Sequence, residues 1–370
     1  MNKILLIGNS GDISKSTDGQ VTKVRLYREI LTDEKIDFMF VDLERFSHHP
    51  FKTLFTIKRG IKKCDRIVLI TAQRGADVLI PFINHFNRKL NKPLALPMIG
   101  VNILHKYIDN LNEKDHFMFM HECNFLNIKP KRRDIKNLNK ISFILPENEM
   151  VASVVKKFFS LNNVYILENF RKYNLPNKSI KKKDNNLLNL IFVSRVGKEK
   201  GIFKLIDAVN TINSNGTKVT LDIFGRKYFN EEENLIFNRL LNQNINYGGV
   251  LKNADVINTI TQYDVFVFPT QYKSEGTPGV ISEALIAGVP IISSNFAQVD
   301  YLLKDGVDSL IYNMNDNNEL VKSILLLVDN DEMLKKLTFN AKISGERYTY
   351  FASKQKFWKY ILGLESYEGS

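Results

Sequence analysis

The sequence predicts an α/β protein made of two doubly wound, parallel-sheet domains. Three observations carry this: strand-sized apolar runs alternate with amphipathic helical segments, the alternation occurs in two series, and a polar, lysine- and asparagine-rich stretch separates them. With 370 residues the chain has the length of about two domains of ~100 to 200 residues each.

In the first series, strands are expected over 3–8, 37–41, 66–71 and 95–101, with helices near 21–31, 51–63 and 78–90 between them. Short strands follow at 141–145 and 164–167. Residues 168–187, broken by Pro176, read as a polar linker. The second series places strands at 188–194, 218–224, 245–247, 265–269 and 290–293, with helices at 202–213, 231–242, 255–262 and 278–287. A last helix is expected over 351–360. In such sheets ligands bind beyond the carboxyl ends of the strands, so the loops just after each strand are where chemistry is sought.

Composition narrows the classes. At 44% hydrophobic residues the chain can bury a full core, which excludes disordered and fibrous proteins. Its longest apolar runs, such as 67–72 and 324–328, fall far short of the ~20 residues of a membrane-spanning helix. The opening MNKILLIGNSGD reads as a first strand rather than a secretion signal, and Cys64 and Cys123 form no CxxC or Cys/His cluster. A cytoplasmic protein without disulfides or structural zinc is expected.

Charge is unevenly divided. Residues 1–183 hold 33 Lys and Arg against 18 Asp and Glu, a net +15, while 184–370 carry −3 of the total +12. The excess concentrates in 52–63 (KTLFTIKRGIKK), 129–140 (KPKRRDIKNLNK) and 181–183, which points to an anionic partner for the first half. In the first of these, Phe51, Leu54, Phe55, Ile57 and Ile61 interleave with Lys52, Lys58, Arg59, Lys62 and Lys63. That is an amphipathic helix with a cationic rim, able either to lie on an anionic membrane or simply to pack on the sheet. The other two runs read as solvated loops, with no aromatic stacking platform for nucleic acid.

Two loops carry the chemistry. SRVGKEKG (194–201) follows a strand and sets Arg195 and Lys200 among glycines; two such cations suit a departing diphosphate. EGTPGVISEALIAGVP (275–290) runs from a strand into a helix with Pro278 expected at its first position. Backbone amides of Gly276, Thr277, Gly279 and Val280 at that helix start form an anion- and hydroxyl-binding site, flanked by Glu275. Glu283 lies inside the helix and reaches the other end of a ligand, such as a ribose diol, although taken alone it reads first as a helix-stabilising acid.

The set SRVGKEKG (194–201), FGRKYF (224–229), YGGVL (247–251), SEGTPGVISEALIAGVPIISS (274–294) and VDYLLKDGVDSLIY (299–312) resembles retaining GT-B glycosyltransferases of glycosyltransferase family 4, also called group 1. The family's E-x7-E signature falls on Glu275 and Glu283 and its R-x4-K pair on Arg195 and Lys200. SKSTDGQVTKVR (14–25) looks like its glycine-containing loop, with Gly19 approaching the donor phosphate. TAQRGADVLIP (71–81) and LPMIGVNILHKYI (96–108) are more loosely similar to polysaccharide-assembly members. No HD-type pair stands where many relatives carry an active-site His; His105 and His121 are the candidates, each equally a structural His.

The resemblance implies two Rossmann-like domains facing each other across a cleft: 1–168 for the acceptor, a linker over 169–187, 188–350 for the nucleotide sugar, and a C-terminal helix over 351–370 that crosses back to the first. It implies a sugar transferred with retention from a nucleoside-diphosphate sugar, preferably a UDP-sugar, to a hydroxyl of a saccharide acceptor. Arg195 and Lys200 would stabilise the leaving diphosphate, Glu275 contact the sugar, Glu283 the ribose, and backbone near Val250 and Leu251 the base. No metal or other cofactor is expected. The basic first half fits peripheral binding to the inner membrane face and a lipid-linked acceptor in capsule or related surface-polysaccharide assembly. The alternatives are a GT-B-fold sugar-nucleotide epimerase and a basic nucleic-acid-binding protein, although nucleic acid leaves both motifs idle. A dehydrogenase is disfavoured, because GNSGDI (8–13) is not GxGxxG.

Overall fold

The computed structural model describes residues 3–12, 19–173, 187–272 and 275–364. Contacts divide the chain into two units, one of 1–172 with 351–370 and one of 173–350.

The first unit is built on five strands, β1 (Ile4–Gly8), β2 (Phe38–Asp42), β3 (Arg66–Leu69), β4 (Leu94–Pro97) and β5 (Phe143–Leu145). They pair in parallel in the order β2-β1-β3-β4-β5. β1 and β3 are buried along their whole length, as strands covered by helices on both faces must be. The order reverses between β1 and β3, the place where such sheets open a crevice at their carboxyl ends. The fourth strand stops at Pro97 instead of continuing to Val101, because Gly100 turns the chain at φ +52°. Residues 164–167 form only a single bridge, Val164 to Ile144, at the edge of β5.

The basic run 129–140 is not a solvated loop throughout. It contains helix Arg132–Leu138, whose Leu138 is buried and whose Asn137 carbonyl accepts from Asn84 Nδ2 at 2.9 Å. Residues 181–183 lie outside the described residues, as do 14–18 of the expected glycine-containing loop.

Of the expected linker over 169–187, Phe170 is buried against Tyr27 and Phe357, at 6.1 Å and 5.9 Å between ring centroids. Residues 174–186 of it lie outside the described residues. The C-terminal segment packs within the first unit: Phe357 meets Tyr27 edge-on at 4.9 Å, and Arg66 donates to the carbonyls of Ile361 and Tyr360.

The second unit has six parallel strands, β6 (Leu188–Val193), β7 (Val219–Phe224), β8 (Ile245–Gly249), β9 (Val265–Phe268), β10 (Ile291–Ser294) and β11 (Ser309–Tyr312). Their order is β11-β10-β9-β6-β7-β8. The chain therefore leaves β6 first toward β7 and β8, then returns to the other side for β9, β10 and β11. This reversal makes β6 and β9 neighbours, with Leu190 opposite Val265, although 75 positions separate those residues. Helices Asn317–Asp329 and Asp331–Glu346 complete the unit.

Candidate donor-binding site

The crevice at the carboxyl ends of β6 and β9 brings the two motif loops together. Gln271 N–H donates to the Glu199 carbonyl at 2.8 Å, tying one loop to the other. Their contact is closest at Gly201, where φ is +73° and a Cβ would lie 1.8 Å from the Pro269 carbonyl oxygen. Only glycine is free of a Cβ penalty in both respects. On the other flank Gly225, at φ +137°, lies under Ser194 so closely that a Cβ would sit 1.7 Å from its carbonyl oxygen.

This framework sets the side chains. Lys200, 7% exposed, forms an ion pair with Glu275, 13% exposed. The same carboxylate oxygen accepts from the buried Thr270 hydroxyl at 3.0 Å, and Thr270 is held in turn by Ser294 Oγ, which donates to its carbonyl at 2.6 Å. The Lys200 ammonium also lies 5.6 Å from the Tyr272 ring centroid and 5.9 Å from that of Phe268. A charged pair so dehydrated persists only where both partners and further hydrogen bonds are in place. The family reading assigns Lys200 to the diphosphate and Glu275 to the sugar; in this structure the two engage each other.

Arg195 is exposed and has no ion pair with another described residue. Its guanidinium lies 5.8 Å from the Tyr228 ring centroid, as does that of Arg226 from the loop after β7. The loops after β6 and β7 are zippered by Val196 N–H to the Arg226 carbonyl at 2.9 Å and Tyr228 N–H to the Val196 carbonyl at 2.8 Å. Arg226 is a cation that the motif reading did not single out, although it lies inside FGRKYF. A net positive surface thus borders the neutral Lys200–Glu275 pair.

The helix after β9 begins at Gly279, and Pro278 precedes it with φ −64° and ψ 121°. Pro278 is therefore the capping position and not the first helical residue; its ψ is extended, outside the helical range. Gly276 and Thr277 belong to the non-helical approach, and the Thr277 hydroxyl donates to Gln298 Oε1 at 3.4 Å. Val280 and half-buried Glu283 lie on the helix itself. Beyond β8, Val250 is 63% exposed and Leu251 packs on the core cluster under β9. Gly249 accepts from Gly225 N–H at 2.7 Å, which places the 247–251 turn beside the loop after β7.

In the first unit, Gly19 is exposed and opens helix Gly19–Asp33, with open space where a Cβ would be. His105 begins the short helix His105–Ile108 and pairs with Asp109 one turn on. His121 stacks on Phe117 at 4.4 Å. Among the described residues, no three His, Cys, Asp or Glu gather as a metal site.

The residues that build this crevice fall inside a recognised family segment: 174–344 match the family described as Glycosyl transferases group 1. This segment is similar to a group 1 glycosyltransferase domain. Curated relatives match the chain over part of its length. The capsular polysaccharide biosynthesis glycosyltransferase CapM of Staphylococcus aureus is 28% identical over 202 residues, 53% of this chain and 51% of that protein. The alpha-monoglucosyldiacylglycerol synthase of Acholeplasma laidlawii is 31% identical over 159 residues, 43% of this chain and 39% of that protein. The chain thus spans about half the length, or less, of these relatives. Anabaena Alr3699/HepE, solved in complex with UDP and glucose, superposes with a TM-score of 0.68 at 16% identity, covering 98% of this chain and 100% of that one. That likeness establishes the fold: two parallel-sheet Rossmann-like domains of GT-B type.

Proposed function

We propose that the chain is a retaining family 4 glycosyltransferase that moves a sugar from a UDP-sugar to a hydroxyl of a saccharide acceptor in cell-surface polysaccharide assembly. The observation that carries this reading is the Lys200–Glu275 pair beside Arg195 at the β6/β9 switch point of the segment that matches the group 1 family. Catalysis of this transfer is chiefly electrostatic, since negative charge grows on the diphosphate as the glycosidic bond to it breaks. Arg195 and Lys200 would neutralise that charge. When phosphate oxygens take over the Lys200 ammonium, Glu275 is left with Thr270 on one oxygen and is free to accept from a sugar hydroxyl. Glu283 would bind the ribose diol, the amides around Gly276 to Val280 the phosphates and sugar, and the Val250–Leu251 backbone the base. Gly19 would approach the donor phosphate, and His105 is the candidate to contact the acceptor hydroxyl. No metal is expected, because two cations and a helix start occupy its electrostatic role. UDP is favoured as the nucleotide by the UDP-bound Anabaena neighbour.

The lipid-linked acceptor is supported by one surface. Helix Pro50–Lys63 buries Ile57, Gly60 and Ile61 but leaves Phe51 and Phe55 outside, 87% and 68% exposed, one turn apart. Lys52, Arg59, Lys62 and Lys63 are exposed on the same helix, and each cation near an anionic membrane adds about 1 kcal/mol. Two relatives act in capsule and glycolipid synthesis by name, in keeping with peripheral membrane binding. No described helix is long and apolar enough to cross a membrane.

The test is a thermal-shift titration with UDP, GDP, ADP and CMP on the wild type and on Glu283→Ala. Binding to the folded state stabilises by about 2.7 kcal/mol at a hundredfold excess over Kd. A shift with UDP that Glu283→Ala abolishes is the expected result; no shift with any nucleotide would sink the reading.

A further inference from the structure

We propose that the first unit holds a separate binding site for an anionic sugar unit, in the cavity between helices Gln73–Asn87, His105–Ile108 and Arg132–Leu138. The cavity has a volume of about 260 Å³. Small-molecule pockets run to roughly 300–1,000 Å³, so this one takes a single sugar unit rather than a larger ligand.

Its walls differ in chemistry. Ile80, Pro81, Ile103, Leu138 and Phe159 supply an apolar floor suited to the C–H face of a sugar ring. Opposite stands a preassembled polar chain. Lys106 Nζ donates to Asp77 at 2.7 Å and lies 2.9 Å from Asp134; Tyr107 O–H donates to Asp134 and accepts from Lys131 N–H at 3.0 Å. Burial alone would discourage charge here, but the hydrogen bonds outweigh it: Lys106 titrates above its usual value and Asp134 below. Asp134 therefore stays ionised, and the side-chain oxygens of Asp77 and Asp134 keep lone pairs able to accept from sugar hydroxyls.

The rim supplies the anion selectivity. Lys131 and Arg133 line the cavity, are exposed, and have no ion pair with another described residue. Across the five charged lining residues Lys106, Lys131, Arg133, Asp77 and Asp134 the cations exceed the anions by one. An apolar face, hydroxyl acceptors and a surplus guanidinium together select a sugar that carries a carboxylate or a phosphate. The inference rests on the glycosyltransferase reading, in which this sugar belongs to the acceptor.

The test is an NMR titration of the full chain with glucuronate, glucose 6-phosphate, glucose and inorganic phosphate, with UDP titrated in parallel. Glucuronate or glucose 6-phosphate should shift the amides of Asp77, Lys106 and Asn137, and which of the two binds more tightly names the anion. Glucose and inorganic phosphate should each bind at least tenfold more weakly. Lys131→Gln/Arg133→Gln, which removes only exposed side chains, should weaken the charged sugar at least tenfold and leave UDP affinity unchanged. Absence of shifts, equal binding of glucose or of inorganic phosphate, or an unaffected double variant would overturn the site. Failure of UDP to bind would instead strike the proposed function.

Discussion

Gly201→Ala is the sharpest probe of the donor crevice. The residue sits at φ +73°, where an L-side chain is disfavoured by about 1 to 2 kcal/mol. The larger effect is steric. The new Cβ would start 1.8 Å from the Pro269 carbonyl oxygen, and carbon atoms in that role essentially never come closer than 3.0 Å, so the two loops must part by at least 1.2 Å. Lys200 adjoins Gly201, whereas Thr270, the hydrogen-bond partner of Glu275, adjoins Pro269; the separation therefore acts on the ion pair itself. A misplacement of about 1 Å can lower turnover by roughly a hundredfold. The expected outcome is a UDP affinity reduced at least tenfold by calorimetry, about 1.4 kcal/mol, with turnover of UDP-sugar reduced by about a hundredfold. A Gly201→Ala protein that folds, binds UDP with wild-type affinity and turns over UDP-sugar normally would refute the claim that this backbone approach aligns the site.

Three further predictions follow from the same geometry. Lys200→Met leaves the Glu275 carboxylate dehydrated and should destabilise the second unit by about 3 kcal/mol, whereas Lys200→Met/Glu275→Gln should recover at least 1 kcal/mol of that in urea unfolding; additive losses would deny the coupling. Phe51→Ser/Phe55→Ser should reduce sedimentation with anionic liposomes roughly thirtyfold at low salt, about 2 kcal/mol, and an unchanged pellet would remove this helix from the membrane reading. Asp134, held below its usual carboxylate value by Tyr107 and Lys106 against the opposing effect of burial, contributes stability that is fully present above an unfolded pKa of about 3.9 and lost as pH falls through its lower folded value. Asp134→Asn should accordingly be less stable than wild type at pH 7, by about 1 to 2 kcal/mol, with the gap closing below pH 4 in thermal melts; a constant gap would contradict the ionised hydrogen-bond network.

Much of the fold was legible because strands covered on both faces must be continuous apolar runs. VFVF (265–268) and ILLIG (4–8) have no polar residue to confuse the reading. Glu113–His121, Arg132–Leu138 and Glu149–Phe159 were not among the expected helices, nor were the longer Asn317–Asp329 and Asp331–Glu346. For all of these but Arg132–Leu138 the signal lay in the caps: Asn112, Asn148, Asp316 and Asn330 accept from the N–H groups of Asp115, Val151, Asn318 and Met333, as Asn or Asp before a helix commonly does. The amphipathic segment 51–63 was readable as a helix but not as a surface. Periodicity puts Phe51 and Phe55 with Ile57 and Ile61 among the apolar residues, while packing buries only the isoleucines.

The sequence by itself determined the alternation of strand and helix, the two series, and the positions of Arg195, Lys200, Glu275 and Glu283 at strand ends, because backbone pattern and loop chemistry are local properties. Only the tertiary structure decided which of those residues meet. Lys200 and Glu275 are paired because β9 returns to the flank of β6 left open by β7, and strand order is chosen by the packing of helices on both faces of a sheet. The same holds for the cavity of Asp77, Lys106 and Asp134, whose members come from three helices. Lys106 and Asp134 look like ordinary surface charges until helices from elsewhere in the chain remove most of their water and supply their partners.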